Sequence, residues 1–526
     1  MNKKFWGNCY RNEALKTSII STFFIGMIAH GYAFLNFFPS HDYLYEITMN
    51  GRWQIELGRF LVPVYKAVFG TFSMLPWTSG LVSLIWLGLS VFLLADIFQL
   101  NNKWQIVMLS GVVVTNITMT ALAATYIPWI GQDTLALLMA VSACWCWQRY
   151  ETQQKKRWMF FSGCVCIIIS LGLYQAYIAV FVTLVVMVSI FRLIDNIDEK
   201  LYWKKTLFSD LRAVGMTALA GCGYAIILKL VCVAGKISLN NGSYNSVTNA
   251  WKSTEPIYAK IFWAYAGIAE TFLGGAQRAA YPNYVFRIVH ILLLCIGIFL
   301  GAKTLMRAAK RKVSKTNIIL LIFLVVFLPM GMNCIRLLNE SVHQLMQFAF
   351  WFFYLFVLLL ALRYMGDIRK KVQIVKCTCV LLLAVFVVNI QTSNAAYIKK
   401  SIEQQTTLSI MTRVVDKIEG QENYVAGETK VAFIGTPSSY TTANNSLQYL
   451  AGITGEGSRT AISYYGVYKK YFENILQTPI NLMDEEDVMK ISKQKNIQKM
   501  ACFPKKGSVI CENNIVVVKF SEQDNS

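Results

Sequence analysis

Long apolar runs recur between residues 18 and 390, each about 17 to 25 residues long, the length that crosses a hydrocarbon core. No water is available there to satisfy peptide N–H and C=O groups, so runs of this kind must close their hydrogen bonds internally as helices. Apolar–polar alternation over ten-residue blocks is absent, which argues against an outer-membrane barrel. The spacing predicts about eleven spans, near 18–38, 76–98, 104–126, 134–150, 158–173, 176–193, 211–234, 286–300, 317–332, 346–364 and 373–390. The tightest connection is a hinge at Tyr174–Gln175. The first span follows a basic head (Lys3, Lys4, Arg11, Lys16) and lacks a small-residue cleavage site, so it reads as an uncleaved anchor.

Charge placement then sets direction. The net charge of +21 would suit a nucleic-acid binder, but the basic residues sit in short clusters between apolar runs. There they orient spans and meet anionic lipid headgroups. No RNA- or DNA-binding motif is present, so membrane lipids are the expected partners of this charge and nucleic acid is not. Basic residues cluster at 149–157, 192–212, 303–315 and 363–376, in alternate loops. That pattern predicts a cytoplasmic N-terminus and a C-terminus on the opposite side. Of the 13 cysteines, the pairs Cys144/Cys146, Cys164/Cys166 and Cys377/Cys379 lie inside apolar runs. Two residues apart on a helix they face different ways, so they read as small fillers and not as metal ligands. Cys502 and Cys511 flank a short loop outside the spans and could form a disulfide.

The expected organisation is therefore an all-α polytopic part over 1–391, with long outer loops at 39–75 and 235–287, followed by a small extracytoplasmic α/β domain over 392–526. In the tail, 430–434 and 514–520 read as strands, 398–418 and 464–475 as helices, and 511–514 as a turn. In the second loop, Trp251, Tyr258, Trp263, Tyr265, Tyr281 and Tyr284 suit an ordered segment at the membrane interface.

No phosphate-binding Gly-rich loop and no His-Glu-x-x-His is present, and Gly221-Cys222-Gly223 lies inside a span without a preceding strand. The first outer loop is the richest in chemistry: His41-Asp42-Tyr43-Leu44-Tyr45-Glu46, then Gly51-Arg52-Trp53, Glu56 and Gly58-Arg59-Phe60. Read as an interfacial helix over 41–58, it puts Asp42 and Glu46 on one face. Arg52 and Arg59, two turns apart, also share a face. A carboxylate can take a proton from an acceptor hydroxyl, and arginines can hold a phosphate. The same residues also allow a plainer reading: local ion pairs through Glu56, and Asp42 as a helix cap. Asp133 opens the fourth span, as a functional acid or as a cap. Arg278, Arg287 and Arg336 stand near outer span ends, where they would bind a lipid phosphate or snorkel to headgroups.

Taken together, His41-Asp42, Gly51-Arg52-Trp53, Gly58-Arg59-Phe60, Asp133, Leu173-Tyr174-Gln175-Ala176 and the ending Met500-Ala501-Cys502-Phe503-Pro504-Lys505-Lys506-Gly507 resemble the GtrII-type bacterial glucosyltransferase family. The resemblance extends over essentially the whole chain. It implies a GT-C-like architecture in the bacterial cytoplasmic membrane, with an extracytoplasmic active site. It also implies transfer of a hexose, glucose in this family, from an undecaprenyl-phosphate carrier to a cell-surface polysaccharide. Many members have two adjacent acids where this chain has His41-Asp42, which makes Asp42 the expected catalytic base, with Glu46 and Asp133 next. Arg52, Arg59 and Arg278 become the expected donor-phosphate ligands. No metal-binding cluster is legible, yet a divalent ion such as Mg or Mn could stand in for an arginine. Attack at a phosphate-linked anomeric carbon would invert it. A flippase for lipid-linked sugar and a polysaccharide polymerase are the competing readings. A flippase would need charges in mid-span, whereas here they crowd the outer loops.

Overall fold

The computed structural model describes residues 8–46, 51–70, 75–152, 156–239, 254–273, 284–310, 314–340, 342–364, 367–442, 450, 453 and 459–521. Within them, eight helices are long and apolar enough to cross a membrane, nine if one bent pair counts as a single span. Two shorter apolar helices, Arg157–Leu173 and Phe348–Leu362, lie where the apolar runs predict two further spans. The first ten helices are α1 (Asn8–Leu35), α2 (His41–Glu46), α3 (Val62–Phe69), α4 (Pro76–Phe98), α5 (Lys103–Val114), α6 (Ile117–Thr125), α7 (Ile130–Thr152), α8 (Arg157–Leu173), α9 (Ile178–Asp195) and α10 (Tyr202–Gly235). Two compact units result: residues 1–35, 50–123 and 127–394 form one, and residues 36–49, 124–126 and 395–526 the other.

In the larger unit, helix pairs approach where one side chain is missing. A Cβ on Gly26 would lie 2.3 Å from Leu84, and one on Gly80 would lie 2.4 Å from the Phe34 ring, so α1 and α4 pack nearly backbone to side chain. In lipid, where apolar tails compete with apolar side chains, small residues that allow close approach drive such contacts.

The span expected at 104–126 is broken between α5 and α6 by 48°. Asn116 is the cause. Its Nδ2 donates to the Val113 carbonyl at 2.7 Å, while its Oδ1 accepts from Met119 N at 3.1 Å. One side chain thereby ends one helix and caps the next. The buried His30 reaches the Val114 carbonyl with Nε2 at 2.8 Å. A break at membrane depth survives only where freed backbone groups are satisfied in this way. The hinge at Tyr174 is present: α8 ends there in extended backbone, and a 3-10 turn, Gln175–Tyr177, leads into α9.

In the smaller unit, a four-stranded sheet has the order β2-β1-β4-β3, with β1 Lys430–Ile434, β2 Asn481–Leu482, β3 Val509–Glu512 and β4 Ile515–Lys519. β1 runs parallel to β2 and β4, and β3 is antiparallel to β4. Asn513 and Asn514 both take positive φ, 52° and 61°, and form the two-residue turn that the right-handed twist of a hairpin favours. Cys511 pairs within β3 instead of opening the turn, and it is a free thiol, so the Cys502–Cys511 disulfide is not formed. Phe433 stacks on Tyr468 at 4.2 Å in the core, which also takes Leu44 of α2. The helices expected at 373–390 and 398–418 are one uninterrupted helix, Ile368–Glu419.

Candidate functional site

The segment after residue 50 is not one helix. Gly51 (φ 75°) starts a 3-10 turn, Arg52–Ile55, and Gly58 (φ 85°) reverses the chain ahead of α3. Both glycines occupy a left-handed conformation that other residues adopt at a cost. The predicted helical face shared by Arg52 and Arg59 is therefore replaced by two different surroundings. Arg52 is exposed and donates through Nη2 to the Gly235 carbonyl at 2.7 Å. Arg59 turns inward: its guanidinium carbon lies 4.5 Å from the Tyr174 ring centroid, and Nη1 donates to Gln54 Oε1 at 2.9 Å.

The loop that carries Arg59 is clamped from two directions. Gln175 Nε2 donates to the Leu57 carbonyl at 2.9 Å, and Leu61 N donates to the Gly172 carbonyl at 2.9 Å. From α10, the Tyr224 hydroxyl donates to the Gly58 carbonyl at 2.9 Å. Asp133 enters from the first turn of α7, 5% exposed, with Arg59 as the charge that acts on it. A carboxylate this buried is expensive unless a cation is close. Helix α7 begins at Ile130, so Asp133 lies inside its first turn, not ahead of it. Gly131 makes room here, since a Cβ would lie 2.3 Å from the Tyr65 hydroxyl. Burial pushes the Tyr65 phenol up to about 12, and the Asp133 charge acts in the same direction. Three motifs far apart in the chain, around Arg59, Asp133 and Tyr174-Gln175, thus meet in one place.

Several polar atoms in this cluster are buried without a hydrogen-bond partner among the described residues: Arg59 Nε, Gln54 Nε2, Gln132 Oε1 and the Tyr177 hydroxyl. Unsatisfied buried groups are uncommon in native proteins, and each calls for a partner such as water, an ion or a polar ligand. Gln54, Gln132, Tyr177 and Tyr224 are not singled out by sequence reasoning. Neither is Lys66, which is 8% exposed and whose ammonium burial pushes down to about 8. Its signal was available: a lone lysine inside the apolar stretch Leu61–Phe69.

The other first-loop candidates lie in the smaller unit. Asp42 and Glu46 do fall on one short helix, α2. Its cap is Ser40, not Asp42: Ser40 Oγ accepts from Tyr43 N at 3.3 Å. α2 is held by the Tyr45 hydroxyl, which donates to the Gly466 carbonyl at 2.9 Å, and by Asn474 Nδ2, which donates to the Leu44 carbonyl at 2.8 Å. The Asp42 side chain keeps 33% of its surface exposed, with His41 Nε2 3.4 Å from Oδ1. Burial holds the His41 imidazole below its ordinary range; Asp42 opposes this and Lys400 adds to it. Lys399 and Lys400 share the carboxylate of Glu403.

Arg278 lies outside the described residues. Arg336 makes a bidentate pair with Glu255, at 2.6 and 2.8 Å. Among the described residues, no group of three or more His, Cys, Asp or Glu side chains is placed to hold a metal ion.

The family model described as Glucosyl transferase GtrII matches residues 31–362. The match includes α2, the Arg59 loop, Asp133 and Tyr174, and it stops short of the C-terminal sheet, so the likeness at Met500–Gly507 falls outside it. No curated protein and no solved structure matches the chain.

Proposed function

Because the chain belongs to the GtrII glucosyl transferase family, we propose that this membrane protein moves glucose from an undecaprenyl-phosphate carrier to a cell-surface polysaccharide, on the extracytoplasmic side. The observation that carries the reading is the cluster of Arg59, Asp133 and Tyr174, with buried donors that have no partner among the described residues. Arg59 is the cation for the departing phosphate. Tyr174 and Gln54 fix the plane of its guanidinium, and the Asp133 carboxyl lies within reach of its charge. Such preorganised donors stabilise charge that develops in the transition state.

The base is Asp42. It is the more accessible carboxylate, whereas Asp133 is almost fully buried and under the charge of Arg59. An acceptor hydroxyl attacks the anomeric carbon and its proton passes to Asp42. The bond from the anomeric carbon to the phosphate oxygen breaks, and the electron pair leaves with the phosphate. Attack opposite the leaving group inverts the anomeric centre.

The test is transfer in proteoliposomes that hold the full chain and polyprenyl-phosphate glucose, with bacterial surface polysaccharides offered outside. New inverted glucosyl linkages on the polysaccharide are expected. Movement of the lipid-linked sugar across the bilayer with no new linkage would identify a flippase, and lengthening of the glycan by whole repeats a polymerase.

Sidedness carries its own prediction. The clustering of Lys and Arg in alternate loops predicts Ser314 in the cytoplasm and Ser438 outside. With a membrane-impermeant thiol reagent on intact cells, Ser438→Cys is expected to label and Ser314→Cys only after lysis. Labelling of both from one side overturns the topology.

A further inference from the structure

A second polar cluster lies at the far ends of α7, α9 and α10. Asp133 and Glu151 are on the same helix, about five turns or roughly 27 Å apart at the helical rise, close to the thickness of a hydrocarbon core. This cluster therefore stands at the opposite membrane surface from Arg59, and its role does not depend on the transfer reaction.

A cavity of about 450 Å³ opens there, lined by Arg192, Lys204, Thr206, Ser209, Glu151 and Arg212 among others. Its single lining carboxylate is already committed: Arg212 holds Glu151 through Nε at 2.6 Å and Nη2 at 2.5 Å. Ser189, also on the wall, donates to Asp210 at 2.5 Å. Lys205 is paired with Glu199 at 3.0 Å. Thr152, also on the wall, donates to the Gln148 carbonyl at 2.9 Å, which leaves three buried polar atoms of the wall without a hydrogen-bond partner among the described residues. Arg192 lies over the Trp147 ring at 5.0 Å, and its Nη2 is buried with no partner among the described residues. Thr206 and Ser209, 4% and 5% exposed, are one helical turn apart on α10, and both hydroxyls are likewise buried without a partner among the described residues. Lys204 adds an exposed cation at the rim.

We infer that this cavity binds a phosphate group, carried on an anionic phospholipid. A buried guanidinium N–H, two hydroxyls and an ammonium supply more donors than acceptors, and a tetrahedral oxyanion has the acceptors to satisfy them. The lipid source follows from the surface beside the opening. Phe208, itself on the wall, is 58% exposed and Leu211 is 53% exposed. These apolar side chains on α10 continue the site as a track for acyl chains.

The experiment uses the purified full-length protein, delipidated in a neutral detergent, and follows ligand binding by native mass spectrometry and by the thermal unfolding midpoint. Phosphatidylglycerol is titrated against diacylglycerol with the same chains and against inorganic phosphate. Phosphatidylglycerol is expected to bind and raise the midpoint, diacylglycerol to do neither, and millimolar phosphate to compete. Thr206→Val with Ser209→Ala is expected to weaken phosphatidylglycerol binding about tenfold, the scale of lost charge-assisted hydrogen bonds. Lys204→Ala, on the surface, gives an independent and smaller loss should the double variant fold poorly. Equal binding of diacylglycerol and phosphatidylglycerol, or unchanged affinity in both variants, overturns the site. Binding of inorganic phosphate without binding of phosphatidylglycerol overturns the lipid assignment.

Discussion

Asp42→Asn is expected to slow glucosyl transfer by a factor of about 10² to 10⁴, the usual cost of losing a positioned general base. The amide keeps the shape of the side chain and removes only its ability to accept a proton. Folding should hardly change. The carboxylate is partly exposed, helix α2 is capped by Ser40, and its anchors run through Tyr45 and Leu44. A surface change of this kind shifts stability by no more than about 0.5 kcal/mol. The measurement is the single-turnover transfer rate in proteoliposomes, with the unfolding midpoint recorded on the same preparation. Transfer at a near wild-type rate by a fully folded Asn variant would mean that Asp42 is not the base; Glu46 and then Asp133 would be tested next.

Arg59→Ala is expected to cost about 10² to 10³ in kcat, comparable with the loss of one preorganised donor to a developing oxyanion. Arg59→Lys should recover only part of this. An ammonium restores the charge but not the planar fork that Gln54 and the Tyr174 ring hold in place. Arg52→Ala should cost less, because Arg52 is exposed and already donates to the Gly235 carbonyl. The decisive comparison is the ranking of the three variants by kcat at saturating donor. Equal effects at Arg52 and Arg59, or full rescue by lysine, would show that a diffuse positive field acts and not an oriented guanidinium.

The helical character of the chain was legible because each cause is local. An apolar run of spanning length has no other way to satisfy its backbone in lipid, and a strand such as Lys430–Ile434 carries its own β-branched and aromatic pattern. The two-residue strand Asn481–Leu482 has no such pattern and exists only because β1 lies beside it. The break at Asn116 was hidden for a related reason: one asparagine in an apolar run does not stop a helix unless its freed carbonyls are met, and His30 comes from another helix to meet one of them.

The site divided along the same line. Arg59, Asp133 and the Tyr174-Gln175 hinge could each be picked out by residue type, since charge and polarity are costly near apolar spans and need a reason to be there. Their partnership could not. The spacing of Arg52 and Arg59 suggested one helical face, but Gly58 in its left-handed conformation turned them apart. Placement of Arg59 against Tyr174 then depended on hydrogen bonds from Gln175 and Tyr224, on helices more than a hundred residues away in the chain. Residue type sets what a side chain can do, while the long-range packing of helices decides which charges come within reach of one another.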